Sequence, residues 1–259
     1  MTTPFARKIN RFFLVAALTF AMAAAPLPVL AAEFTDAQKN EIGALVREYL
    51  IKNPEVIREV FTELERKETA EKEVAAKSGI IDSKAELFNS KLSHVAGNPD
   101  GDVTMVEFFD YNCGYCKRAF PDVLTLIESD PKLKVVIKEF PILGKNSLFA
   151  SRAAIAAKKQ NKYWDFHVAL MNTSGSLNEA RVMKVAKEIG LDTDKLRKDM
   201  DDEAVQQEIA ESHRLANRMG INGTPSFIID DRLIPGALGL EELRSQIAEV
   251  REAGGCKVC

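Results

Sequence analysis

Apolar residues recur at three- and four-residue intervals over two stretches near the start of the chain. The first holds Ile42, Leu45, Val46, Tyr49 and Leu50, the second Ile57, Val60, Phe61 and Leu64, and this spacing predicts two amphipathic helices. Thr35 with Gln38 three residues later makes a capping-box pattern ahead of the first. Asn53-Pro54 restarts the second, with Asn53 as cap and Pro54 as its first residue. From Glu65 to Lys77 the residues are mostly charged or alanine, and Ser78-Gly79 offers a stop. A helix with one apolar stripe must bury it, either on its own domain or on a second copy of the chain, and the pattern favours self-association.

Ser83 with Glu86 predicts a further short helix, and the turn residues from Gly97 to Asp102 lead into an apolar run, Val103 to Phe109, with the length of a buried strand. A helix is expected from Cys113 to about Asp130, bent by Pro121, and a second strand from Val135 to Phe140. For about 80 residues the pattern is then helical: Ser147 to Gln160, Tyr163 to Met171, Glu179 to Ile189 and Glu203 to Met219, with Gly190 and Gly220 as stops. Strands return at Ser226 to Asp230 and Arg232 to Ile234, before a last helix from Leu240 to Ala253. This order implies an α/β domain, a mixed sheet covered by helices.

The first residues read differently. Arg7, Lys8 and Arg11 precede an apolar stretch, Phe12 to Ala25, and a small-residue region ending at Ala31-Ala32, the layout of a secretory signal cut after Ala31 or Ala32. The apolar stretch is 14 residues long, short of the roughly 20 that cross a bilayer. Removing residues 1–32 takes three basic residues from the 35 Lys plus Arg and none of the 38 Asp plus Glu, a net charge of −6. That balance excludes nucleic acid as the main partner.

All four cysteines lie beyond this signal, as Cys113, Cys116, Cys256 and Cys259, in two pairs of equal spacing. An oxidising compartment permits structural disulfides, yet a two-residue loop gains little stability from one, which favours chemistry over stapling. Cys113 follows a strand and opens a helix, where unpaired amides and the positive end of the dipole favour a thiolate. Asn112 is the expected N-cap and Cys113 the first helical residue, accessible to solvent, with Cys116 shielded one turn on. An ordinary thiol is only about 3% ionised at pH 7, so such lowering governs reactivity.

Val103 to Phe109 with Asp110-Tyr111-Asn112-Cys113-Gly114-Tyr115-Cys116, then Lys138-Glu139-Phe140-Pro141, then Gly223-Thr224-Pro225-Ser226-Phe227, together resemble the DsbA-like thioredoxin-fold disulfide oxidoreductases of the bacterial periplasm. Tyr49 to Ile57 looks like the oligomerising arm of the ScsC-like branch, the suppressor-of-copper-sensitivity proteins. The Gly-Tyr pair between the cysteines is similar to that of DsbC isomerases, where typical DsbA oxidases carry Pro-His. The resemblance implies a thioredoxin fold with a helical insertion at about 145–220 within residues 83–255, a helical arm over 33–82 and a tail at 256–259. It implies exported cysteine-containing proteins as substrates, a membrane redox partner, a homo-oligomer, a periplasmic location and no cofactor.

It also implies a cis Thr224-Pro225 bond facing Cys113, presenting the Thr224 backbone to an extended polypeptide. Glu107 falls where family members place an acid: buried on a strand, it would accept the proton of Cys116, or else it reaches solvent at the strand end. Lys138 either pairs with Glu107 or snorkels to water. His94, His167 and His213 read as ordinary histidines, and Tyr163, Trp164 and Phe166 as core of the insertion. Cys256-Lys257-Val258-Cys259 follows Gly254-Gly255 on a tail expected to be mobile, and three readings stay open: an inert disulfide, a second redox pair, or a two-thiolate site for a soft ion such as Cu(I). The rival to an exchange enzyme is a copper-binding or chaperone-like thioredoxin-fold protein with little turnover.

Overall fold

The computed structural model describes residues 34–259; the expected signal segment lies outside the described residues. Among the described residues no helix is long and apolar enough to cross a membrane. The chain divides into a unit ending at Arg58 and a compact unit from Glu59 to Cys259. The first unit holds α1 (Asp36–Lys52), whose capping box forms as the sequence predicts: the Thr35 side chain accepts from the Gln38 amide and the Gln38 side chain accepts from the Thr35 amide. No residue of α1 is buried.

Helix α2 (Glu55–Asp82) runs through the expected stop at Ser78-Gly79. Gly79 serves close packing instead, since a Cβ there would stand 3.0 Å from the Arg218 carbonyl oxygen. A short α3 (Lys84–Phe88) follows without a side-chain cap; the Ser83 hydroxyl accepts from Arg218 Nη1 at 2.9 Å. Residues 94–97, which the sequence pattern does not announce, form β1 (His94–Gly97). Gly97 has φ +74°, a conformation that suits glycine, and a Cβ would meet the Leu133 oxygen at 2.5 Å.

The central strand is β2 (Val103–Phe109), buried at every position, followed by α4 (Gly114–Ser129) and β3 (Leu133–Glu139). The helical insertion comprises α5 (Lys145–Ala156) with a 3-10 turn to Gln160, α6 (Tyr163–Met171), α7 (Glu179–Glu188), α8 (Thr193–Asp199) and α9 (Glu203–Arg218). Helix α8, capped by the Asp192 carboxylate, is too short to show a periodicity in the sequence. β4 (Ser226–Ile229), β5 (Arg232–Pro235) and α10 (Leu240–Glu252) complete the domain.

The sheet order is β1-β3-β2-β4-β5, with β2 and β3 parallel and every other pair antiparallel. Alternation along the strands sends Met105, Phe109, Val135 and Ile137 to one face, against Phe120, Val123 and Leu126 of α4 and Leu243 and Ile247 of α10. Val106, Phe108 and Val136 point to the other face, into a core with Ile80, Leu87, Phe88, Leu215 and Met219. A sheet buried on both sides explains why β2 reads as an unbroken apolar run rather than an alternating one. It also decides which neighbours Glu107 and Lys138 meet.

Candidate active site

β2 ends at Phe109 and the chain turns sharply into α4. Asp110 builds the turn: its carbonyl accepts from the Cys113 amide at 3.0 Å, and its carboxylate accepts from the amides of Asn112 (2.7 Å), Ile142 (2.9 Å) and Leu143 (3.0 Å). Asn112 does not cap the helix. Its amide group donates to the Leu177 carbonyl at 3.1 Å while its oxygen accepts from the Leu177 amide at 2.6 Å, tying the turn to the insertion. Lys117 adds to that tie by donating to the carbonyls of Thr173 and Gly175.

The N-cap of α4 is Cys113 itself, one position earlier in helix terms than the sequence suggests. Its sulfur takes the role a serine or aspartate oxygen usually fills and accepts from the Cys116 amide at 3.4 Å. Several donors therefore converge on one atom. The Cys113 thiol is lowered to about 5, first by the hydrogen bond from the Cys116 thiol, then by the Thr224 side chain and the amides of Cys116 and Tyr115, against a burial effect of opposite sign. Cys116 is pushed far above the ordinary thiol range, chiefly by burial. One sulfur is held as an anion and its neighbour as a proton donor.

The structure encloses Cys113 more than an accessible helix tip implies: the residue is 6% exposed, while Tyr115 beside it is 62% exposed. Tyr115 lies under the Arg118 guanidinium, 4.2 Å from the ring centroid, at the rim of the site. Opposite stands the cis Thr224-Pro225 bond the sequence leads one to expect, with the Thr224 carbonyl oxygen 3.1 Å from Cys113 Sγ.

Glu107 lies inside β2 on the face that carries Cys116, buried, with Oε1 lacking a hydrogen-bond partner. Burial first, and the charge on Cys113 second, raise its carboxyl to about 8. The solvent-reaching alternative for this residue is therefore excluded. Lys138 corrects the sequence reading in both its forms: it neither pairs with Glu107 nor reaches water. It is fully buried on the opposite face, where Nζ donates to Glu211 Oε1 at 2.9 Å and to the Glu86 carbonyl at 2.7 Å. The one-residue offset in register from Ile137, which faces Glu107 across the strands, turns the two side chains apart.

A second buried acid escaped sequence reasoning. Glu139 Oε1 accepts from the hydroxyls of Tyr163 (2.8 Å) and Tyr111 (3.0 Å), and Tyr111 in turn meets His167 Nδ1 at 3.0 Å. Burial raises the Glu139 carboxyl to about 8 and lowers the His167 imidazole to about 3, so the cluster is neutral at pH 7. Its only sequence signal is a carboxylate closing an apolar strand. His94 stacks on Trp164 and His213 packs on Phe140, and none of the three histidines hydrogen-bonds a cysteine.

The C-terminal tail is anchored rather than loose. Cys256 and Cys259 form a disulfide, Asp230 Oδ1 accepts from the amides of Lys257 and Val258, and the Cys256 and Val258 side chains pack against the two cores. Since Ile229 pairs with Met105 near the start of β2, the tail lies at the end of the sheet away from Cys113.

An acidic dithiol at a helix N-terminus facing a cis-proline on a five-stranded mixed sheet defines a thioredoxin-fold redox domain. The model of the DsbA-like thioredoxin domain matches residues 104–248, and the chain belongs to that family, whose members are thiol-disulfide oxidoreductases acting on cysteine-containing proteins. The N-terminal domain of the copper resistance protein ScsC matches residues 38–71. A thioredoxin-like oxidoreductase from Silicibacter pomeroyi is 49% identical, with 65% of this chain and 97% of that chain covered and a TM-score of 0.64. Proteus mirabilis ScsC in a transitional conformation is 30% identical, covering 83% of this chain and 96% of its own, with a TM-score of 0.61. The Na(+)/H(+) antiporter NhaA 3 of Salinispora tropica is 28% identical over 190 residues, 70% of this chain, and the chain spans 29% of the antiporter's length.

Proposed function

We propose that this chain is a periplasmic thiol:disulfide oxidoreductase that acts on exported proteins through Cys113 and Cys116, with reductase or isomerase character. The observation that carries this reading is the Cys113 sulfur, lowered to about 5 and held beside the Thr224 carbonyl. The Cys113 thiolate attacks a substrate disulfide, a Cys113–substrate disulfide forms, and one substrate sulfur leaves as thiolate. Glu107, having released its own proton to solvent once Cys113 no longer carries charge, takes the proton of Cys116, and the Cys116 thiolate attacks Cys113 Sγ, closing the Cys113–Cys116 disulfide and releasing the second substrate thiolate. Two electrons pass to the substrate, and the reverse sequence oxidises it.

Glu107 suits the second step for a reason built into its surroundings. The Cys113 charge helps hold its carboxyl high, and that charge vanishes once Cys113 is in a mixed disulfide. The carboxylate form becomes easier to reach at the moment Cys116 must lose its proton. Pro225 and Thr224 present backbone to an extended substrate segment.

The arm supports a homo-oligomer. Leu45, Val46 and Tyr49 of α1 and Val60, Phe61 and Leu64 of α2 are all exposed, and residues 38–71 match the ScsC N-terminal domain. Several reactive sites in one assembly would keep a misfolded client bound through successive exchanges, which favours isomerisation. A membrane redox partner resets the Cys113–Cys116 pair.

The test compares the wild-type chain and Cys113→Ser in insulin reduction and in refolding of a scrambled disulfide protein. Activity lost in both supports the proposal, whereas activity retained would falsify it. A wild-type chain that leaves insulin intact would point to the rival protein that binds copper or unfolded chains without turnover. For the arm, sedimentation of wild type against Leu45→Asp/Phe61→Asp should show an oligomer and a monomer; equal masses would remove the oligomer.

A further inference from the structure

The disulfide tail sits over a buried carboxylate that has no counter-charge. Asp230 is buried, has φ 55°, and pairs with no cationic side chain among the described residues. Its Oδ1 accepts from the amides of Lys257 (2.8 Å) and Val258 (3.1 Å) and lies 3.4 Å from Cys256 Sγ. One oxygen of Asp230 and the sulfurs of Cys256 and Cys259 all fall within 4.8 Å of one another. The Cys259 amide donates to Cys256 Sγ at 3.1 Å, an interaction that favours a thiolate there. Packing of Cys256 and Val258 against the cores fixes the tail in this place.

Consider the same three groups with the disulfide opened. Two thiolates and a carboxylate so close repel one another, and the buried Asp230 then carries its charge without a cation, which is costly. A cation among them removes both penalties. Zinc binds thiolate sulfur at about 2.3 Å and carboxylate oxygen at about 2.0 to 2.2 Å, so donor atoms around one tetrahedral ion stand about 3.5 to 3.8 Å apart. The Cys256 Sγ–Asp230 Oδ1 distance, 3.4 Å, already approaches that spacing, all three donor atoms lie within 4.8 Å of one another, and breaking the disulfide lets the two sulfurs part. Magnesium and calcium are disfavoured by the thiolates, and Cu(I), satisfied by two sulfurs, has no use for the carboxylate.

We propose that Cys256, Cys259 and Asp230 form a zinc site that exists only in the reduced tail and that the disulfide closes. A dithiol reductant supplies two electrons and two protons to the Cys256–Cys259 bond and itself becomes a disulfide. Zn(II) then displaces the two thiol protons, forming two Zn–S bonds and one Zn–O bond, with water in the fourth position. Because the tail lies at the other end of the sheet from Cys113, the site is separate from disulfide exchange and stands or falls independently of it.

The test uses the full chain carrying Cys113→Ser and Cys116→Ser, so that the tail thiols alone remain, titrated anaerobically with Co(II) and then Zn(II). The reduced chain should bind one Co(II) with a thiolate-to-metal charge-transfer band that Zn(II) displaces, and the oxidised chain none. Adding Cys259→Ser, at an exposed position, should abolish the band, and Asp230→Asn should weaken Zn(II) binding by about tenfold or more. A reduced chain without the band, or a Zn(II) affinity unchanged by Asp230→Asn, would overturn the proposal. So would tight Cu(I) binding by a chain that does not take Zn(II).

Discussion

Cys113-Gly114-Tyr115-Cys116 and Cys256-Lys257-Val258-Cys259 share a spacing and one hydrogen bond, from the amide of the second cysteine to the sulfur of the first, at 3.4 and 3.1 Å. They differ in where the nearest carboxylate points. Beside Cys113, Asp110 spends its carboxylate on three backbone amides, while the Cys116 thiol, the Thr224 side chain and two backbone amides donate to the sulfur. Beside Cys256, the Asp230 carboxylate faces the sulfur at 3.4 Å. A nearby negative charge disfavours a thiolate, and converging donors favour one. Stabilising the thiolate stabilises the reduced form of a pair. Two cysteines separated by two residues are thus a framework whose chemistry is set by what faces the first sulfur.

The strongest way to break the comparison is Cys113→Ser with the tail intact. Exchange should fall to the uncatalysed rate, because the second pair has one amide donor and the Asp230 carboxylate against its first sulfur; substantial residual turnover would make the two pairs equivalent. Next in size is Glu107→Gln, which removes the group that takes the Cys116 proton. Release of the mixed disulfide should slow by about 10²-fold in single-turnover quench experiments, with its formation little changed. An unaltered release rate would remove Glu107 from the mechanism.

Glu107 also carries a stability signature of definite sign. Its folded value, about 8, lies above the ordinary 4.5, so the unfolded chain loses this proton first and stability falls as pH rises between those values, by about 1.4 kcal/mol per pH unit. Glu107→Gln should therefore stabilise the reduced protein increasingly from pH 5 to pH 8 in denaturant titrations. A gain independent of pH would mean that the carboxyl is not held protonated.

Lys138→Met sharpens the contrast between the two faces of the sheet. It strands Glu211 in a buried pair and should cost about 3 kcal/mol in unfolding, yet leave the Cys113 ionisation where it was. A shifted Cys113 midpoint would restore the link to Glu107 that the register forbids. The smallest effect is expected of Cys116→Ala, which removes the principal donor to Cys113; the Cys113 midpoint should rise, read by alkylation rate against pH.

Much of this arrangement was legible in the residues. The unbroken apolar run of β2 shows a strand buried on both faces, the cysteines at its end show a reactive helix start, and Thr35 with Gln38 shows a cap. What the sequence hid depends on partners far along the chain. The Glu139–Tyr163 and Lys138–Glu211 contacts span 24 and 73 residues, and no local pattern couples them. Lys138 was misread because adjacency to an apolar strand says nothing about which face a charge takes when the other face has a waiting acid. Gly79 was misread as a stop because the backbone of Arg218 that requires it arrives from α9. The anchored tail depends on Asp230, 26 residues before Cys256.

The most direct measurement is the ionisation of Cys113 in the reduced full chain, followed by thiolate absorbance or by alkylation rate across pH. The account predicts a midpoint near 5, so that the thiolate persists through neutral pH and its contribution to the reduced protein's stability, complete above the ordinary thiol value, is lost as pH falls through 5. A midpoint near 8.5, that of an unperturbed thiol, would contradict it.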